Sequence, residues 1–153
     1  MTSVRPAPAL TWQERIQRTR ARSWVLHILY QWESRDPSRP LAEVMEETLK
    51  RRRVAADRVP LVRRHVAALT DHQAEVDHAL LEAMENWRLD RLSRVDRAIL
   101  RLAVAEMIFL EDVPPKVAIQ EGIRLAGQYG GHGSSRFVNG VLDAVLRSLG
   151  DRS

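Results

Sequence analysis

The chain has no cysteine, and its 24 basic side chains include only two lysines, Lys50 and Lys116. The first absence excludes disulfides, thiolate catalysis and cysteine-ligated zinc together. It also fits a cytoplasmic location. No apolar run approaches the roughly 18 residues of a membrane span, and the N-terminus lacks a charged-then-apolar signal pattern. No segment alternates apolar and polar residues between hairpin turns, so no sheet is expected. No Gly-rich phosphate loop, dinucleotide fingerprint or nucleophile elbow is present, so the chain is not read as an enzyme and no cofactor is expected. His65, His72 and His78 never adopt the i, i+4 spacing of a helical zinc pair, and no metal site is expected.

At 153 residues the chain reads as one domain large enough to bury a core without metal or crosslink. The formal net charge is only +4. The bias to arginine runs throughout, so it carries information only where it clusters. Arginine binds phosphate bidentately and stacks on bases, which makes clusters worth weighing.

Residues 1–10, with Pro6 and Pro8, read as a disordered tail, and residues 11–150 as the folded unit. Thr11-Trp12-Gln13-Glu14 is a capping-box pattern that opens a helix. That helix buries Val25, Ile28, Leu29 and Trp32 and stops before Asp36-Pro37. A second helix, with Pro40 in its first turn, runs to about Arg53. Asp57 is expected to cap a third. Val62, Val66, Leu69, Gln73, Val76, Leu80, Ala83 and Trp87 alternate spacings of four and three. This pattern predicts one straight helix of nearly thirty residues, the spine of the fold.

Ser93 with Asp96 predicts an N-cap before a central helix whose stripe is Val95, Ile99, Leu102, Ala103, Glu106 and Leu110. A further helix from Pro115 to Gln128 contains Gly122, a position for close helix packing. Gly130-Gly131 stops it, and Ser134 is expected to cap the last helix. The sum is an all-α fold of six to seven helices.

Two segments suggest RNA binding. Ser134-Ser135-Arg136-Phe137-Val138-Asn139-Gly140 places a cation and a ring in the first turn of a helix, where unpaired N–H groups favour phosphate and the ring can stack on a base. Arg15, Arg18 and Arg22 share a helix face, with Tyr30 further along and partly exposed. The run Lys50-Arg51-Arg52-Arg53 sits at a helix C-terminus, where the dipole already favours cations, and that explanation is preferred for it.

Four blocks resemble the NusB family of bacterial transcription antitermination factors. They are Arg18-Thr19-Arg20-Ala21-Arg22 with Leu29-Tyr30-Gln31-Trp32; Asn86 to Arg101; Asp112 to Glu121; and Ser135 to Asp143. The blocks fall in family order, and the resemblance reaches over nearly the whole chain, from about residue 12 to 149. The resemblance implies two small helical bundles packed together. It also implies binding of boxA RNA in nascent rRNA leader transcripts, jointly with NusE, a small-subunit ribosomal protein. The pair would nucleate a complex with other Nus factors on RNA polymerase. No cofactor or catalysis is implied.

By motif, the resemblance assigns Arg18, Arg20, Arg22, Tyr30, Arg136 and Phe137 to RNA, and Asp96, more weakly Asp90, to NusE. Asn139 and Gly140 are assigned to local hydrogen bonding and close packing. Gly133 stands where the family often has an acid. The family includes both monomers and homodimers in the free state. Two other readings remain: the RNA-recognition domain of an rRNA cytosine methyltransferase, which needs a catalytic domain beyond residue 150, and a purely protein-binding helical adaptor.

Overall fold

The computed structural model describes residues 9–85 and 88–150. Residues 1–8 of the expected tail, and Asn86 and Trp87 of the expected long helix, lie outside the described residues. Among the described residues there are seven α-helices, one short 3₁₀ turn and no strand. The helices are α1 (Trp12–Arg35), α2 (Leu41–Arg51), α3 (Val59–Asp71), α4 (Gln73–Ala83), α5 (Arg94–Phe109), α6 (Pro115–Tyr129) and α7 (Ser134–Gly150).

Helices α1, α2 and α3 pack on one another as a first bundle, and α4 to α7 form a second. The two meet where α5 packs against α1 and α3. Helix α5 therefore touches five other helices and is buried almost all round, from Arg97 to Met107 with Arg101 excepted. Ile99, Leu100, Leu102 and Val104 on this helix are essentially sealed from solvent. Each such aliphatic side chain contributes about 1.5–3 kcal/mol by burial.

The single long helix expected from residue 62 to 87 is two helices. His72 ends α3 and starts α4 with a non-helical backbone (φ −129°, ψ 26°). Its ring stacks flat on Phe109, with centroids 3.8 Å apart. The apolar pattern survives the break because each half faces a core: Val62, Val66 and Leu69 are buried in α3, Val76 and Leu80 in α4. Periodicity alone reads both as one stripe. The spine of the fold is α5 instead.

Most helix ends follow their local chemistry. Thr11 Oγ1 accepts from Glu14 N at 3.1 Å, and Ser93 Oγ accepts from Asp96 N at 3.1 Å. Gly122 is a close-packing position: an added Cβ would lie 2.9 Å from Leu142 Cδ1 and 3.5 Å from Ala103 Cβ. Three ends differ from expectation. Pro40 caps α2 from outside with extended backbone. Arg58, not Asp57, caps α3, without a side-chain hydrogen bond. Ser134 is the first residue of α7 rather than its cap, and its hydroxyl accepts from Gly131 N at 3.0 Å.

Candidate nucleic-acid interface

Helix α1 carries most of the expected cations, and the structure divides them sharply. Arg22 is 3% exposed. Its Nε donates to Glu106 Oε1 at 2.7 Å, and its guanidinium lies 3.9 Å from Glu121. His65 Nδ1 bonds the Leu61 carbonyl at 2.7 Å, while Nε2 lies 3.2 Å from Glu106 Oε1 without hydrogen-bond alignment. Burial alone pushes the Glu106 carboxyl up, but His65 and then Arg22 outweigh it and hold the carboxyl below its ordinary value. The expectation that Arg22 faces RNA is thereby corrected: an isolated buried carboxylate is costly, and Arg22 is its counter-charge. The signal was in the sequence, because Glu106 is the acid in an otherwise apolar stripe.

Arg18 is partly engaged as well. It donates to Asp112 at 3.1 Å, and Arg64 clamps the same carboxylate with both terminal nitrogens. Hydrogen bonding from Arg64, aided by the charges of Arg64 and Arg18, holds Asp112 at about 2. Arg20 differs: it is exposed, and no carboxylate among the described residues pairs with it. Arg15 is exposed and unpaired in the same sense.

Tyr30 is 42% exposed and lines a groove of about 450 Å³ with Trp24, His27, Arg52, Val95 and Tyr129. The groove lies between the middle of α1 and the ends of α2, α5 and α6. Burial, and secondarily the charge of Arg52, lowers His27 below its usual value. A second depression beside Tyr30 is lined by Gln31, Arg51 and Arg52. The basic run that helix-dipole reasoning set aside thus stands next to the exposed ring. Tyr129, 48% exposed, also escaped sequence reasoning. Its only signal was an aromatic on the last turn before Gly130.

The start of α7 is built by its loop. Gly133 has φ +82°, a left-handed conformation that an acidic residue would adopt only with strain, and its carbonyl accepts from Phe137 N at 3.0 Å. Arg136 is exposed, whereas Phe137 is half-buried in a second groove with Ala83, Met84 and Val141. Asn139 and Gly140 are exposed, and a Cβ added at Gly140 meets nothing within 4 Å. The close packing expected at Gly140 is absent, whereas that expected at Gly122 is present, facing Leu142 and Val138 across the α6–α7 contact.

Around the start of α5, Arg97 donates to the Leu89 and Leu92 carbonyls at 2.7 and 3.3 Å and pairs with Glu33. This fixes the 3₁₀ turn Leu89–Arg91 and the end of α1 against α5. Asp96, the residue before Arg97, keeps Oδ1 buried with no hydrogen-bond partner. Asp90 is exposed and paired with Arg88 at 3.1 Å.

The expected residues are only partly brought together. Arg18 and Arg22 lie beside Asp112 and Glu106, toward the C-terminal end of α5. The Tyr30 groove reaches Val95, at its N-terminal end. Tyr30 and Phe137 line separate grooves. The link between them is the end of α6: Tyr129 closes the Tyr30 groove, and an added Cβ at Gly127 would lie 3.3 Å from Ser135 Oγ on α7. Among the described residues no group of His, Asp or Glu is placed to hold a metal, and no helix is long and apolar enough to cross a membrane.

The model of the NusB family matches residues 19–147. The transcription antitermination protein NusB of Pseudothermotoga lettingae is 38% identical over 136 residues, covering 87% of this chain and 93% of that protein. Among solved structures, T. maritima NusB superposes with a TM-score of 0.77 at 35% identity, covering 85% of this chain and 90% of that one. A structure of antitermination factors NusB and NusE in complex with dsRNA gives 0.77 at 28% identity, covering 87% and 98%.

Proposed function

Since this chain belongs to the NusB family, we propose that it binds boxA RNA of nascent rRNA leader transcripts together with NusE, nucleating an antitermination complex. Other Nus factors and RNA polymerase join it indirectly. On this reading the protein is a cytoplasmic, non-enzymatic factor, and residues 11–150 are its functional unit. A related NusB crystallised with NusE and dsRNA supports the choice of partners.

The observation that carries the RNA reading is the surface around Tyr30. Two exposed rings, Tyr30 and Tyr129, stand beside Arg52, with Arg20 on the same side of α1. Unpaired arginines next to exposed rings suit phosphate contact and base stacking together. Arg136 and Phe137 extend this surface from α7. Arg18 contributes less, being shared with Asp112, and Arg22 acts from beneath by holding α1 on α5. Asp96 is assigned to NusE by its place in the family motif, at the partly exposed start of α5. Asp90 is the weaker candidate.

Titration of labelled boxA RNA, with and without NusE, at two salt concentrations tests the reading. Tight binding that strengthens with NusE and weakens with salt is expected. An affinity independent of salt and of NusE would sink it and favour a protein-only adaptor. Asp96→Arg should weaken NusE association while leaving helical CD unchanged; normal NusE binding by this variant would remove Asp96 from the contact.

A further inference from the structure

Trp12 is the most exposed large apolar side chain among the described residues, at 75%. It opens α1, which continues without a break past Tyr30. Eighteen residues separate the two rings. At about 100° and 1.5 Å per residue that is five full turns, so both rings leave the helix at one azimuth, about 27 Å apart.

Helix α6 lies alongside this line. Thr19 Oγ1 donates to Glu121 at 3.2 Å, Arg124 reaches the Thr19 carbonyl at 3.4 Å, and Tyr129 meets Tyr30 in their common groove. At the Trp12 end, Arg15, Thr19, Val117 and Gln120 line a further depression of about 490 Å³. Two depressions thus lie along the facing sides of α1 and α6, joined across the Thr19–Glu121–Arg124 bridge, with Tyr30 and Tyr129 in one and Trp12 just beyond the other.

Its charge suits a polyanion. Arg15 at one end and Arg52 at the other have no carboxylate partner among the described residues, and Arg124 spans the middle. The acid facing the seam, Glu121, is already held by Arg124 and Thr19. Asp112, which lines the depression at the Trp12 end, is held by Arg64 and Arg18. Glu14 lies two residues beyond Trp12, about 200° around the helix, and so points away.

We infer that a single RNA strand engaged at Tyr30 continues along the α1–α6 seam and stacks a base on Trp12. The inference rests on the RNA reading above and adds the direction of the strand and its far end.

Trp12→Ala and Trp12→Phe in the full-length protein test it, using boxA RNA and versions shortened stepwise from either end. Loss of one base stack should weaken the longest RNA about five- to hundredfold in Trp12→Ala, with Trp12→Phe near wild type. RNAs too short to span the seam should bind wild type and Trp12→Ala alike. Quenching of tryptophan emission by the long RNA should be smaller in Trp12→Phe than in wild type. Equal affinity of wild type and Trp12→Ala for every RNA length would overturn this placement while leaving the Tyr30 surface intact. A defect seen only with NusE present would assign Trp12 to the protein partner and overturn it too. Failure of the wild-type protein to bind any of these RNAs would overturn both readings.

Discussion

Arg22 Nε and Glu106 Oε1 lie 2.7 Å apart across the junction of the two bundles, with both side chains almost fully sealed from water. Removing one member of such a pair strands the other charge, which costs about 3–5 kcal/mol. Arg22→Ala should therefore lower unfolding free energy by that order in urea denaturation. Salt dependence of RNA binding by the folded fraction should stay close to wild type. A stable variant that loses one phosphate contact would return Arg22 to the RNA surface.

Arg20, Arg52 and Arg136 are exposed and have no carboxylate partner among the described residues. Each substitution to Ala should reduce the slope of log affinity against log salt by about 0.7, the value for one phosphate of a single strand. Arg18→Ala should change the slope less, because Arg18 is shared with Asp112. Fluorescence anisotropy across a salt series measures all four.

Tyr30→Ala should weaken RNA binding by about 1–3 kcal/mol, and Tyr30→Phe should retain most of the affinity, since stacking needs only the ring. Phe137→Ala should in addition lower thermal stability, because Phe137 packs against the core. Thermal melts run beside the binding titrations separate the two effects.

Gly133→Asp places an acid at a position with φ +82°. The left-handed backbone should cost about 1–2 kcal/mol of stability. The added charge beside Arg136 should also weaken RNA binding at low salt. An unchanged melting temperature would mean that the loop relaxes to another conformation.

Asp112 has its folded-state value held at about 2 by Arg64 and Arg18. A depressed carboxyl stabilises the fold above its unfolded value and loses that contribution as pH falls toward the folded value. Between about pH 4 and pH 2 the wild type should therefore lose stability faster than Asp112→Asn. Asp112 is partly exposed, so the difference should stay below about 1 kcal/mol. Denaturant titrations across that range check the sign.

Much of this fold was legible because local rules acted locally. The Thr11 and Ser93 caps, the stop before Asp36-Pro37 and the close approach at Gly122 needed only neighbouring residues or helix sterics. The break at His72 was not legible, since the apolar spacing runs through it and the ring partner, Phe109, is distant in sequence. The same holds for the interface. Tyr30 could be seen as off the buried stripe, but the role of Arg22 depends on Glu106, 84 residues away. The position of Arg52 beside Tyr30 depends on how α2 docks on α1.

Helix α1 does two jobs with one rigid rod. Ala21, Arg22, Val25, Ile28, Leu29 and Trp32 fasten it inside the molecule, while Arg20 and Tyr30 face outward from the same unbroken 24 residues. Its length is therefore not a free variable. One residue inserted between Arg22 and Val25 would turn everything downstream by about 100°. Either the core contacts past the insertion or the outward rings would then be misaimed. The spacing between its inward and outward residues works as a fixed ruler.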